Sequence, residues 1–383
     1  IRDLVRSRGL GDVYKRQIDN YLDQSIAAAE EVRQRGVWKI YNTGNVENDY
    51  RSIFETPDLT ANPEILWFKM YDGDQVGNSV TRYLNTGGGN VGVTASLVDD
   101  YLTIDGRPLV GKELLDAKRV YPTELLPTVR DPRLSQTVAL PGQRMQPAGA
   151  GNPYVVGFPS LAGDGSAFGT NMTGYVMLKH VQIDYTGDYI SEYKGSTPAI
   201  QFRYADVLLN YAEALAEKNG AANAGKIIEI LHPLRERAGM PDIDFDREYN
   251  TSAEYPFRNL DKYIQAVRRE RRVEKALEGR RVFDIMRWAA AEELIIGNRA
   301  HGALFIGSNL PEQYGPELKY DQASGNNMFL TGSPDDAERY ILPVPPSTMP
   351  NGWQFKPNRD YLLPIQERMI NVMDGMWEQN PGW

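Results

Sequence analysis

A mainly α architecture is predicted: a superhelix of α-α hairpins beside a large, loop-rich irregular subdomain. Three observations predict it. Residues 201–296 keep apolar side chains at three- and four-residue steps through four successive segments. Residues 38–200 hold 19 of the 35 glycines and few windows with a helical period. Cysteine is absent, so the chain as given has no disulfide to hold loops together, and packing must do that work.

The elements follow in order. Ile18, Leu22, Ile26, Ala29 and Val32 share one face of a first helix, which Gly36 closes. Val37–Tyr41 is short and apolar, and Ile65–Phe68 reads as a buried strand. A short helix fits Ser96–Leu102, before the Asp105-Gly106 turn. Phe202, Ala205, Leu208, Ala212 and Leu215 line a helix that runs to Lys218 and ends at Asn219-Gly220. Ile227, Ile228, Leu231 and Leu234 define the next, which Pro233 should kink and Gly239 should end. A third is expected from Asp261 to Leu277, stopped by Gly279, and a fourth from Arg281 to Ile296. Two consecutive helix pairs match the tetratricopeptide type of hairpin stack. They begin at 201 and 261, wider than the ~34-residue repeat, and an insertion at 239–259 accounts for the difference. An ordinary helical bundle is the alternative. Beyond 297 the chain is irregular, stiffened by Pro343, Pro345, Pro346 and Pro350.

Composition narrows the function. The 383 residues carry 42 Lys+Arg and 51 Asp+Glu, a net charge of −9 that argues against nucleic acid as the main partner. No apolar run approaches the ~18–20 residues of a membrane helix. The three histidines, His180, His232 and His301, are not at metal-ligand spacing, so neither a metal site nor a cofactor is expected. Residues 1–17 carry five basic and two acidic side chains without an apolar period. Val5–Gln17 resembles translated sequencing-adapter read-through, so residues 1–17 are set aside as a non-native tail. A basic membrane-binding arm is the competing reading.

Catalytic patterns are weak. A glycosidase needs two carboxyls ~5–9.5 Å apart across a sugar ring. The acidic neighbours here are Glu213 and Glu217 on one helix, Asp99-Asp100, Glu292-Glu293 and Asp335-Asp336, which usually point apart or face solvent. No Gly-x-Ser-x-Gly elbow exists, and Gly87-Gly88-Gly89 lacks the Lys-Ser/Thr pair of a phosphate loop. His232, beside Pro233, reads as a surface or packing residue. Residues 268–287 hold eight basic and four acidic side chains. Glu270, Glu274, Glu278 and Asp284 stand at helical spacings from arginines, so paired charges explain the run. Phe283, Met286 and Trp288 are expected to pack between helices.

Several motifs, in order, carry a family resemblance. Arg203-Tyr204-Ala205-Asp206-Val207-Leu208-Leu209-Asn210-Tyr211-Ala212-Glu213-Ala214 resembles the core helix of SusD/RagB-type outer-membrane nutrient-binding proteins. Leu234–Gly239 and the run from Glu270 to Trp288 follow at the expected places, and Tyr361–Ile365 with Gln379-Asn380-Pro381-Gly382-Trp383 resembles the closing motif. Asn62–Trp67, Leu97–Tyr101 with Asp105-Gly106, and Arg130–Leu134 fit the middle. The resemblance spans 18–383, divided into a ligand-binding region (38–200), helical repeat pairs (201–296) and an irregular C-terminal region (297–383). It implies a protein without catalytic residues that binds oligosaccharides or other nutrients. It implies delivery to a partner TonB-dependent, SusC-like transporter on the outer face of a Gram-negative outer membrane. The signal peptide, lipidated cysteine and first helices of the family are expected to be missing, as in an N-terminally truncated member, so membrane association would run only through that lost lipid anchor.

Sugar recognition needs aromatic rings against C–H faces and polar groups against hydroxyls. Trp67, Tyr71, Tyr83, Tyr154, Phe158 and Phe168 supply rings between 66 and 170, with Arg144, Asn78 and Asn152 nearby. Tyr154 and Phe158, in a Gly/Pro-rich loop, are preferred, and Trp67 is weakened by its place in the buried strand. Two rivals remain: a tetratricopeptide adaptor for peptides, which would not require the Gly/Tyr-rich 38–200 segment, and a glycoside hydrolase.

Overall fold

Helix α1 (Asp12–Arg35) begins inside the segment set aside as a tail and stops at Gly36, whose φ is +63°. The computed structural model describes residues 12–86, 91–147, 154–162, 171–188, 190–373 and 376–383. Next come α2 (Asp49–Glu55), β1 (Ile65–Lys69), α3 (Val80–Asn85), α4 (Ala95–Asp100), α5 (Gly111–Arg119) and α6 (Arg133–Thr137). The strands β2 (Val138–Ala139), β3 (Val176–Met177) and β4 (Ala199–Arg203) follow. Among the described residues, the region read as loops therefore carries five short α-helices, of which only α4, near the expected Ser96–Leu102, showed in the sequence.

The long α7 (Tyr204–Arg237) leaves helical geometry only at Asn219, with φ −165° and ψ 87°, which divides it into halves 204–218 and 220–237. That break is where Asn219-Gly220 predicts it. Pro233 removes a donor, yet the dihedrals stay helical through it. In α8 (Lys262–Glu274) the Asp261 carboxylate accepts from the Tyr263 N–H at 2.8 Å, a side-chain cap. The predicted fourth helix is two, α9 (Arg281–Trp288) and α10 (Ala291–Leu294), because Ala289 turns left-handed at φ +51°. Then come β5 (Leu304–Ile306), β6 (Arg339–Tyr340), α11 (Pro357–Asp360) and α12 (Glu367–Val372). Among the described residues the strands form three two-stranded antiparallel ladders, β1–β4, β2–β3 and β5–β6. The architecture is mainly α, a tetratricopeptide-like stack of helix pairs with a large irregular region beside it.

One core lies among α1, α7 and α8. Ala205, Leu208, Ala212 and Leu215 from the first half of α7 meet Ile227, Leu231 and Leu234 from the second, with Ala29 and Val267. Each aliphatic buried in this way stabilises by roughly 1.5–3 kcal/mol. Phe202 and Phe283 are corrections: both were expected to be inside, and they are 48% and 63% exposed. A second core sits in the irregular region, where Val98, Tyr101, Tyr175, Phe305 and Ile341 gather against Val273 and Ala276 at the end of α8.

The arginine-rich helix joins the two cores, but not through neighbours on its own surface. Glu274 accepts from Arg133 (3.0 Å), Arg203 (2.7 Å) and Arg237 (2.5 Å), all buried. Glu270 accepts from Arg133 and Arg235, each at 2.6 Å. Glu64, just before β1, closes the array on Arg203 at 2.6 Å and Arg237 at 3.0 Å. Most partners come from other elements, and Lys275–Glu278 and Arg287–Asp284 pair locally.

Glu124, fully buried in the second core, accepts from the Tyr175 hydroxyl at 2.7 Å, while its Oε2 has no hydrogen-bond partner among the described residues. Burial pushes its carboxyl up from 4.5 to about 7, against the pull of Lys118. The folded state thus holds the proton longer than the unfolded chain. The stabilisation is complete below pH 4.5 and is lost as pH rises through about 7. Glu124→Gln is expected to remove a fall of ~3 kcal/mol across that window. Urea unfolding of both proteins from pH 4.5 to 8 checks it, and parallel stability profiles would refute it.

Candidate functional site

The segment after β1 turns back under residues 193–195. Asn78 and Gly195 exchange backbone hydrogen bonds, N to O at 2.9 Å and 2.8 Å. Gly77 permits that approach, since a Cβ there would stand 2.0 Å from the Tyr193 carbonyl oxygen. The Asn78 side chain is used up in the turn: its Nδ2 donates to the Thr197 carbonyl at 2.7 Å, and its Oδ1 accepts from the Val80 N–H at 3.1 Å.

This crossing builds one wall of an open cavity of about 570 Å³. Tyr71 and Tyr83 line it, with Ser79, Val80 and Leu84, and residues 197–200 leading into β4 form the facing side. Lys69 Nζ lies 4.7 Å from the Tyr71 ring centre, and Tyr83 is 41% exposed. Thr197 also lines the cavity, and its buried Oγ1 has no hydrogen-bond partner among the described residues.

The floor is His180, Leu277 and Glu278. His180 and Leu277 both hold positive φ, 75° and 63°, a conformation that costs non-glycine residues energy and persists where surroundings enforce it. His180 Nε2 lies 3.3 Å from the Leu277 carbonyl oxygen, and its ring meets Phe54 edge-on at 5.0 Å. Burial, with Lys179 beside it, pushes His180 down to about 4, so the imidazole is neutral and Nε2–H is the donor to that carbonyl.

Glu278 is the only acid among the described lining residues. Burial opposes its ionisation, but Arg203, Lys179 and Lys275 together hold its carboxyl well below the usual range. Arg203 donates at 2.7 Å, Lys179 at 2.9 Å and Lys275 at 2.6 Å. A carboxylate so engaged has neither the raised pKa of a general acid nor a second acid opposite it.

The Glu213–Glu217 pair lines a second, more polar cavity, also of about 570 Å³, with Arg268, Arg287 and Trp288. Glu213 accepts from Arg287 Nη2 and from the Trp288 indole N–H, each at 2.7 Å. Burial works against the charge, yet Arg287, Arg271 and Trp288 keep the Glu213 carboxyl below its usual value. Glu217 is paired with Arg268 at 3.1 Å. Among the described residues no group of three or more His, Asp or Glu could hold a metal ion.

Of the predicted ring residues, Tyr71 and Tyr83 come together. Tyr154 instead packs against the core around Val156 and Leu178, and its buried hydroxyl has no hydrogen-bond partner among the described residues. Phe158 is 41% exposed and tilted against Tyr121 at 6.3 Å, outside the cavity lining. Arg144 is exposed, bridges Val155 and lies outside the lining too. Phe168 and Asn152 fall outside the described residues. Trp67 corrects the buried-strand reading: Ile65 is buried, yet Trp67 is 61% exposed. Sequence reasoning missed Thr197, His180 and Leu277; apart from Thr197's place in a polar turn, nothing in the sequence marks them.

The family model described as SusD family matches residues 63–383. A solved SusD-like protein from Bacteroides fragilis superposes with a TM-score of 0.64 at 21% identity, over 96% of this chain and 63% of that one. A SusD-like carbohydrate binding protein from the same species gives 0.64 at 23% identity, over 93% and 61%. This chain therefore spans about three fifths of the length of either structure. At these identities the likeness shows a shared fold. No curated protein matches the chain.

Proposed function

The chain belongs to the SusD family, and we propose that it captures oligosaccharides without cleaving them, with the Tyr71–Tyr83 cavity as the place of capture. One observation carries the reading: the Tyr71 and Tyr83 rings line the same open space, while its one acid is neutralised by three cations. Rings cover the C–H face of a sugar and hydroxyls bond its rim, so binding needs no bond made or broken. The fold-mate from Bacteroides fragilis carries the description carbohydrate binding, in line with this use. Family membership supports the rest of the proposal: a cell-surface place on the outer membrane, and delivery to a TonB-dependent, SusC-like transporter. No helix among the described residues is long and apolar enough to cross a membrane.

Affinity electrophoresis in gels containing starch, laminarin, xylan or polygalacturonate tests the reading. The wild type is expected to be retarded by at least one of them. Tyr71→Ala and Tyr83→Ala should each weaken that binding about tenfold, the equivalent of one lost ring contact of ~1.4 kcal/mol. Retardation unchanged in both variants would move the site elsewhere. Release of reducing ends from any of the four, abolished by changing one acid, would make the protein a hydrolase.

A further inference from the structure

The outer face of the β1–β4 ladder carries a second pair of rings. Trp67 and Phe202 are partners across the ladder, with ring centres 6.1 Å apart and planes 24° from parallel. They stay 61% and 48% exposed, although both have strand backbones to hold them. The Arg280 guanidinium stands 5.5 Å from the Phe202 ring centre and donates to the Gln201 carbonyl, which fixes that ring in place. Two residues beyond Trp67, Lys69 is exposed as well and reaches over the Tyr71 ring. Tyr71 is a wall of the cavity. Trp67 and Lys69 on the strand and Tyr71 just beyond its end thus connect the exposed pair to the cavity lining.

We propose that Trp67 and Phe202 form a second carbohydrate-stacking subsite, which holds a more distant unit of the same linear glycan whose end occupies the cavity. The inference rests on the reading of that cavity as a sugar site. Size selects the occupant. Two rings this exposed offer on the order of 250 Å², whereas a stable protein partner needs ~800 Å² on each side. The nearby polar groups, Lys69 and Arg280, are cations that can donate to hydroxyl or carboxylate oxygens of a glycan. Both rings stand on paired strand backbone and already lie against each other, which lowers the ordering needed when a sugar ring lies on them.

Short and long oligomers prepared from whichever of the four polysaccharides retards the protein provide the probes, with titration calorimetry as the readout. Trp67→Ala and Phe202→Ala should each weaken long oligomers about tenfold and leave short ones unchanged. Tyr71→Ala should weaken both lengths. Wild-type affinity for long oligomers in Trp67→Ala and Phe202→Ala, with Tyr71→Ala still weakened, would overturn the subsite and leave the cavity standing. Binding of no oligomer by the wild type would overturn both. Sedimentation velocity covers the other occupant: a dimer lost in Trp67→Ala would assign the face to a second copy and overturn the glycan subsite. Both side chains are largely in solvent, so thermal midpoints close to wild type are expected.

Discussion

Replacing Glu274 by glutamine is expected to cost about 3–5 kcal/mol, a large share of the ~5–15 kcal/mol that holds a domain folded. The substitution keeps the shape and removes the charge that Arg133, Arg203 and Arg237 share. Burial favours the neutral acid, but those three guanidinium groups, Arg237 foremost, hold the Glu274 carboxyl far below its ordinary range. With the charge gone, the arginines remain in the interior with their Coulomb compensation reduced. The loss comes from stranded cations, not from a missing attraction, because an intact buried ion pair adds little over an apolar packing of equal volume. The sign with pH is the reverse of Glu124. The contribution of Glu274 is present above the ordinary carboxyl range and disappears as acid approaches its depressed pKa. Glu30→Gln, which removes a partly exposed partner of Arg33 on α1, should cost no more than about 1 kcal/mol. Guanidinium midpoints for both variants decide the matter, and equal midpoints would deny the buried array its role.

Gly302→Ala is expected to cost about 3 kcal/mol for a reason of shape alone. A methyl at 302 would stand 2.0 Å from the Thr173 carbonyl oxygen and 2.6 Å from its carbon. Neither chain can step aside. Gly302 N–H donates to Ile341 at 2.8 Å, and Ala303 N–H donates to Thr173 at 2.7 Å, so both backbones are tied where they cross. Gly225→Ala makes the contrast within one protein. It lies in α7 with nothing within 4 Å of the added methyl, and it should gain ~0.5–1 kcal/mol. Urea midpoints moving in opposite directions would bear out both statements. A Gly302→Ala protein as stable as wild type would mean that the crossing is looser than its hydrogen bonds imply.

The helical half was legible because α1, α7 and α8 are long enough to repeat their apolar period, and α1 and α7 end at glycines. Gly36 and Gly239 adopt the positive φ that those stops require, at 63° and 66°, whereas α8 ends at Glu274, short of the expected Leu277, and the chain turns at Leu277 with φ 63° before it reaches Gly279. The irregular half hid most of its helices, since α2, α3 and α6 complete no more than two turns and bury residues through contacts distant in sequence. Charge pairing was read correctly, but its geometry was not. Whether Arg133 meets a neighbour or Glu270, 137 residues away, depends on a fold that local spacing does not encode. Ring residues show the same division. The sequence favoured Tyr154 over Tyr71 and Tyr83, and only the chain path turns the latter two to the cavity and Tyr154 to the core. The run Ile65–Phe68 looked buried on both faces because every residue is apolar; in a two-stranded ladder one face stays wet, and Trp67 is on it.

Glu64 precedes β1, Arg133 and Lys179 come from the irregular half, and all three are bound to charges on α7, α8 or the turn that follows α8. The halves are thereby riveted to one another through the interior, and a hinge between them would have to pull ions out of register. Small-angle scattering with and without saturating oligosaccharide should therefore superimpose.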